Sequence, residues 1–167
     1  MKNFFAALLF CLFFSYGAFA GACPFCNPGV ISDQKVYENN LFYVLVDYAP
    51  VTEGHFLVIP KRHVVKAHEL SQEEWQGLSN TIPKVVTIFQ KALNTDQYIM
   101  LEKNGRFAGQ MVPHVHFHLI PIPSEKLSEK IKESLFAKMY DRPQPKLNNE
   151  ELQNTVNKYR KFFSENE

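Results

Sequence analysis

Three histidines alternate with apolar residues in the second half of the chain. His114, His116 and His118 are separated by Val115 and Phe117. Successive side chains of a β-strand point to opposite faces, so in a strand the three imidazoles share one face and the apolar residues face the core. Half-buried strands do not favour histidine, and packing gives no reason for the row. The row therefore indicates either a metal site or nucleophilic and acid–base chemistry.

Two cysteines stand near the N-terminus as Cys23-Pro-Phe-Cys26. The pair has three interpretations: a disulfide, a thioredoxin-like redox motif, or half of a zinc site whose other ligands come from elsewhere. A redox motif needs a strand before it and a helix after it. Pro28 and Gly29 predict that no helix follows the cysteines, which argues against the redox motif.

The first 20 residues have the composition of a secretory leader. Lys2 precedes an apolar run over residues 4–14, and Ala18 and Ala20 match the small residues that a signal peptidase accepts. The run is shorter than the roughly 20 apolar residues of a membrane span. We therefore expect a signal peptide over 1–20 and an exported protein, either in a bacterial periplasm or secreted. An uncleaved N-terminal membrane anchor is the alternative.

The part that follows the leader, residues 21–167, has the length of one domain. The whole sequence of 167 residues carries 18 Lys and Arg against 17 Asp and Glu, a formal charge of +1. This balance argues against a strongly basic nucleic-acid-binding module. We expect no nucleic-acid partner and no membrane contact after cleavage of the leader.

Strand and helix patterns are interleaved along this domain. Short runs rich in β-branched and aromatic residues predict five strands, at 35–40, 41–47, 56–59, 98–101 and 114–120. Ser71 opens a helix with a capping box, and apolar residues recur at spacings of three and four up to Leu93. A variable flap over 124–147 precedes a C-terminal helix over 148–164. Antiparallel strands with inserted and C-terminal helices give an α+β fold.

Several sequence blocks resemble the histidine triad (HIT) superfamily. Residues 114–120 match its His-φ-His-φ-His-φ-φ signature, in which φ is apolar, and 109–114 match the Gly-Gln-x-Val-x-His that leads into it. Residues 47–50 match the family's Asp-x-x-Pro, and 54–63 match its Gly-His-x-Leu-Val-Ile-Pro-Lys-x-His. The two-cysteine start is similar to that of zinc-containing bacterial members. The resemblance implies a HIT-like antiparallel sheet of about five strands and a homodimer with a continuous sheet.

The resemblance also implies an activity, that of a nucleotide hydrolase or nucleotidyl transferase. Such an enzyme attacks the α-phosphorus of a nucleoside phosphoanhydride or phosphoramidate, and His116 is the nucleophile that forms a nucleotidyl-histidine intermediate. His118 contacts the phosphate and helps to protonate the leaving group. Asp47 accepts hydrogen bonds from ribose, while Gln110 and the loop that begins at Asn104 hold the phosphate.

A metal site is implied by the same resemblance. Its ligands are Cys23, Cys26, His63 and His114, a closed set of four that suits structural zinc. A Cys23–Cys26 disulfide is the alternative. His55 lies beside the catalytic strand in the family and has a supporting role at most.

Lys103 is a departure from the family pattern, because many members carry Asn at this position. Its positive charge can compensate for the lost amide at a phosphate. Departures in the phosphate pocket keep two further interpretations open. One is a catalytically weak nucleotide-binding HIT-fold protein, and the other is a metal-dependent hydrolase that uses the histidine strand.

Overall fold

Five antiparallel strands form one sheet in the computed structural model, which describes residues 23–123, 129, 133 and 145–166. The strands are β1 (Lys35–Glu38), β2 (Phe42–Val46), β3 (Phe56–Pro60), β4 (Tyr98–Leu101) and β5 (Phe117–Pro121). Their order across the sheet is β1-β2-β3-β5-β4, and every neighbouring pair is antiparallel. The predicted α+β fold is confirmed.

The sheet is accompanied by helices α1 (Pro28–Gln34), α2 (Gln72–Leu93) and α3 (Asn149–Ser164). As the sequence predicts, Ser71 caps α2 through a reciprocal pair of hydrogen bonds with Glu74. Asn148 caps α3 in the same way with Glu151. Each pair provides partners for backbone N–H groups that the start of a helix leaves unpaired.

The larger apolar cluster packs α2 and α3 against one face of the sheet. The Phe56 ring stacks on Phe89 of α2 and meets Tyr159 of α3 edge-on. The predicted inward-facing residues of the histidine row belong to this cluster, which confirms their placement; they are Val115, Phe117 and Leu119.

A smaller apolar cluster covers the opposite face and includes Phe25, Ile31 and Leu57. Leu57 is the register partner of His118, and partners directly across two strands share a face. The smaller cluster therefore lies on the same face as the histidines, and the segment from Cys23 through α1 packs beside them.

Helix α1 corrects the expectation that Pro28 and Gly29 exclude a helix after the cysteines. Asn27 caps α1, because its side-chain oxygen accepts the N–H of Gly29 at 2.8 Å. Pro28 occupies the first helical position, where a missing N–H costs nothing and a fixed φ suits the helix. The dipeptide begins a helix here and does not prevent one.

Strand β5 begins at Phe117, so the predicted span 114–120 starts too early. Ahead of β5, the N–H of Val115 donates to the carbonyl of Val64 at 2.7 Å. Val64 lies beyond the end of β3, in chain that belongs to no strand. The first two histidines of the row are therefore fixed by loop contacts and the third by the sheet.

The predicted leader over 1–20 and most of the predicted flap over 124–147 lie outside the described residues. Within the described part of the chain, no helix combines the length and the apolar character needed to cross a membrane.

Candidate functional site

His116 is buried immediately before β5, and the backbone holds its ring. Its Nδ1 lies 2.7 Å from the carbonyl oxygen of His114, and because a carbonyl only accepts, Nδ1 carries the proton. Nε2 of the neutral ring then carries the lone pair that a nucleophile needs. Burial lowers the pKa of His116 below 6.5, although the hydrogen bond to His114 and the charge of Asp47 oppose this shift. The neutral nucleophilic form is therefore favoured near neutral pH.

Asp47, His55 and His118 form a cluster beside His116. Nε2 of His55 lies 2.9 Å from Nδ1 of His118, and the ring centroids of His116 and His118 are 5.0 Å apart. Oδ2 of Asp47 lies 3.4 Å from Nε2 of His55 and 3.7 Å from Nδ1 of His118. The N–H of Val51 donates to Nδ1 of His55, so Nε2 of a neutral His55 carries the proton. The cluster offers two imidazoles and a carboxylate for proton transfer next to the nucleophile.

The three histidines of the row do not converge on one metal among the described residues. His114 belongs to a group with two cysteines and His63, and His118 belongs to a group with Asp47 and His55. Ligand atoms lie within 4.8 Å of one another in each group, so each has metal-binding potential. His116 belongs to neither group, so a metal-dependent hydrolase would not use the row as a unit.

The loop that precedes the histidine row is pinned by two amide side chains. Gln110 is buried, its Oε1 accepts the N–H of Gly105 at 2.7 Å, and its Nε2 donates to the carbonyl of Val65 at 2.7 Å. Oδ1 of Asn104 accepts the N–H of Ala67 at 2.7 Å. Both side chains thus hold the loop in place. Direct contact of Gln110 and Asn104 with a phosphate stays a prediction.

The predicted metal ligands Cys23, Cys26, His63 and His114 lie together. Nδ1 of His114 is 3.4 Å from Sγ of Cys23 and 3.6 Å from Sγ of Cys26, and Nδ1 of His63 is 3.2 Å from Sγ of Cys26. In a tetrahedral zinc site, with Zn–S about 2.3 Å and Zn–N about 2.0 Å, neighbouring ligand atoms are roughly 3.3–3.8 Å apart. The three distances agree with the edges of such a tetrahedron.

The protonation chemistry of these residues also suits a cation. Nε2 of His114 lies 3.0 Å from the carbonyl of Pro60, so Nε2 carries the proton and Nδ1 presents its lone pair to the cysteines. Burial, together with the hydrogen bond and charge of Cys23, raises the pKa of the Cys26 thiol to about 11. Two adjacent thiols resist ionising together, and a bound cation removes that resistance.

Phe25 contacts two histidines of the row, although the sequence patterns did not predict it as a site residue. Its ring meets His116 edge-on at 5.4 Å between centroids and His114 at 5.9 Å. It lies between the two cysteines in sequence, so two of the four predicted metal ligands and the apolar wall of the nucleophile come from one short segment. An apolar residue enclosed by two predicted ligands is the signal that could have identified it.

Comparison with known proteins agrees with this geometry. The sequence model of a family described as the HIT domain matches residues 28–125. The chain is 43% identical over 107 residues to adenosine 5'-monophosphoramidase hnt1 of Schizosaccharomyces pombe, which is 63% of this chain and 77% of that protein. It is 28% identical to a bis(5'-adenosyl)-triphosphatase of Dictyostelium discoideum, over 84% of this chain and 93% of that protein.

A solved structure shares the fold at larger coverage. It is the crystal structure of a hypothetical histidine triad nucleotide-binding protein from Sulfolobus tokodaii. The TM-score is 0.64 at 25% identity, over 86% of this chain and 93% of that one.

The prediction of an exported protein is wrong, both for a bacterial periplasm or secretion and for the alternative of a membrane anchor. The relatives that contradict it are proteins of yeasts and of an archaeon. An apolar run followed by small residues is a compositional signal, and composition alone was insufficient here.

Proposed function

The chain belongs to the HIT domain family, and on that premise we propose that it is a nucleotide hydrolase acting through His116. The substrate class is a nucleoside monophosphate joined through its α-phosphorus to an amine or to a further phosphate. The phosphoramidate is the first choice, because the relative with 43% identity is an adenosine 5'-monophosphoramidase. The triphosphatase at 28% identity supports the phosphoanhydride as a second class.

The proposed reaction has two displacements at phosphorus. Nε2 of His116 attacks, a P–N bond to the ring forms, and the bond from phosphorus to the leaving group breaks. The leaving group departs with the bonding electron pair and receives a proton from the cluster of Asp47, His55 and His118. Water then attacks phosphorus, loses a proton to that cluster and breaks the bond to His116. The products are the nucleoside monophosphate and a neutral imidazole.

One observation carries this proposal: the 2.7 Å contact between Nδ1 of His116 and the carbonyl of His114. This contact leaves Nε2 unprotonated and orients the ring before any substrate arrives. An imidazole that served only to bind a nucleotide would not need one fixed tautomer. The contact therefore favours an enzyme over a nucleotide-binding protein without activity. Roles for Asp47 at ribose and for Gln110 at phosphate are part of the same proposal.

The decisive experiment traps the intermediate. Purified protein is mixed with an adenosine 5'-phosphoramidate, quenched in base, and digested for mass spectrometry. We expect adenylate on His116, no turnover by His116→Ala, and nucleotide binding close to that of the unaltered protein. His68→Ala is the matched control, because His68 is exposed and belongs to neither cluster. Turnover that persists in His116→Ala would contradict the proposal.

The four grouped ligands are proposed to hold structural zinc, which supplies no step of the reaction. The distances among their atoms and the paired thiols support this assignment. Elemental analysis should find one zinc per chain, and His63→Ala should lower both the zinc content and the melting temperature. His68→Ala should change neither. A protein without zinc and with a Cys23–Cys26 disulfide would contradict the assignment.

A homodimer through β4 completes the proposal. β4 is an edge strand of the sheet, and Tyr98 and Met100 on it are exposed. An exposed edge with apolar side chains is a surface on which a second copy can add its strand. Met100→Lys should convert the dimer to a monomer in analytical ultracentrifugation. Lys91→Met, on an exposed position of α2, should leave the mass unchanged.

A further inference from the structure

Lys103 lies next to the catalytic face without belonging to either histidine cluster. It follows β4 by two residues, and the last residue of β4, Leu101, is the register partner of His118. Its side chain is half-buried and runs along Gly109. Nζ and Cδ of Lys103 would each lie 3.4 Å from a Cβ placed on Gly109. The ammonium is therefore drawn in over the loop that leads to the histidine row.

Gly109 lies directly beside this lysine. Gly109 has φ of 83°, in the left-handed region that favours glycine. A side chain there would be strained by this φ, and its Cβ would be in van der Waals contact with the side chain of Lys103. A backbone hydrogen bond closes this loop, because the N–H of Gln110 donates to the carbonyl of Gly105 at 3.1 Å. The side chain of Lys103 therefore packs against a closed loop.

The ammonium of Lys103 has no anionic partner in the described part of the chain. No described carboxylate lies within ion-pair distance of its Nζ, and the adjacent Glu102 accepts a hydrogen bond from Asn104 instead. Two of the other lysines form ion pairs, Lys61 with Glu38 and Lys158 with Glu53. A half-buried ammonium loses hydration, and an anion at the site restores that loss.

The strand register brings Lys103 toward the nucleophile. Leu101 of β4 pairs with His118 of β5 in antiparallel register, and Lys103 and His116 are each two residues beyond that pair. Both residues therefore lie at the same end of the β4–β5 pair, where a cation also acts on a phosphorus atom about to bond to the imidazole. The negative charge of a phosphoryl group is largest on its non-bridging oxygens, and fixed cations there stabilise the transition state.

We propose that Lys103 is a catalytic residue that binds the non-bridging oxygens of the α-phosphate attacked by His116. The inference rests on the proposed function and adds to it a contact that the histidine row does not provide. The site therefore requires a ligand that presents an anionic phosphate beside Lys103. Nucleosides without a phosphate do not use Lys103.

The test compares charge-removing and charge-keeping variants in two assays. Lys103→Met keeps the aliphatic length without charge, and Lys103→Arg keeps the charge. Single-turnover formation of the His116 adduct from an adenosine 5'-phosphoramidate should be about 10²–10³-fold slower in Lys103→Met. Lys103→Arg should recover much of this rate. Lys91→Met removes the same charge from an exposed position of α2 and should react at the unaltered rate.

Equilibrium binding distinguishes a phosphate contact from a structural role. In Lys103→Met, AMP should bind at least tenfold more weakly, while adenosine should bind as it does to the unaltered protein. An unchanged adduct rate, or equal weakening of AMP and adenosine, would overturn the assignment. If the unaltered protein forms no adduct, the proposed function fails, and the binding comparison still tests the phosphate contact alone.

Discussion

At the scale of single residues, one position links the two clusters of the site. Nδ1 of His114 faces the cysteines, and its carbonyl oxygen accepts the Nδ1 proton of His116. The alternation of the histidine row predicts that these residues lie together. It cannot predict which ring nitrogen of each histidine carries the proton, because the tautomer depends on which backbone carbonyl lies near each ring. The different roles of the histidines therefore do not follow from the alternation.

Asp47→Asn tests proton transfer within the cluster of Asp47, His55 and His118. The amide keeps an oxygen for the N–H of Ala49, which donates to Oδ1 at 2.9 Å, but removes the negative charge shared with the two imidazoles. We expect kcat for an amine leaving group to fall about 10²-fold, because such a group must be protonated to depart.

The matched measurement uses an adenylate with p-nitrophenol as leaving group, which departs without a proton. Steady-state kcat for this substrate should fall much less than kcat for the phosphoramidate. An equal loss for both substrates would assign Asp47 to binding or to folding and not to proton transfer.

At the scale of elements, strands and helices that show a repeating apolar pattern are predicted well. Short elements and element boundaries, which depend on a few residues, are predicted less well. Each of the five predicted strand runs overlaps an observed strand, and the cap at Ser71 is found where the sequence places it. Helix α1 is missed because Pro28 and Gly29 have opposite meanings at the start and in the interior of a helix. The start of β5 is missed because the alternation of apolar residues continues through residues 114–116. At that point the segment opposite, which follows β3, has already left the sheet.

Asn27→Ala measures what the cap of α1 contributes. The substitution removes the acceptor for the N–H of Gly29, and a lost cap costs about 1 kcal/mol of unfolding free energy. Because Ile31 of α1 packs in the cluster that contains Phe25 and Cys23, zinc content should also decline.

The control for the cap is Asn157→Ala, an exposed position inside α3. Its unfolding free energy in urea should stay within about 0.5 kcal/mol of the unaltered protein, because alanine is the better helix former. Equal stability of Asn27→Ala and Asn157→Ala would show that the cap contributes nothing.

At the scale of the whole molecule, one face of the sheet packs the larger apolar cluster and the opposite face carries the histidines of the candidate site. Helices α2 and α3 bury the larger cluster on one face, and α1 with the histidines covers the other. Tyr159 of α3 is fully buried in the larger cluster, and its hydroxyl donates to Oε1 of Glu53 at 3.4 Å. Burial, with the negative charge of Glu53, raises the pKa of Tyr159 well above 10.

Stability in alkali should depend on this phenol. The folded state holds Tyr159 neutral, whereas the unfolded chain ionises it near pH 10, so its contribution is complete below pH 10 and is lost as the pH rises. Relative to Tyr159→Phe, which cannot ionise, the unaltered protein should lose about 1 kcal/mol between pH 9 and pH 11. Urea unfolding across this range measures the difference, and a difference that is constant with pH would contradict the buried phenol.

The contact between Cys23 and His114 has a consequence for the timing of assembly. The two residues are 91 positions apart in the chain. At roughly 5–20 residues per second, a ribosome adds His114 about 5–18 s after Cys23. During that interval the nascent thiols have no imidazole from the histidine row beside them. The pair is then open to another metal or to a foreign thiol, and closure of the proposed zinc site waits until the part of the chain that carries His114 has been made.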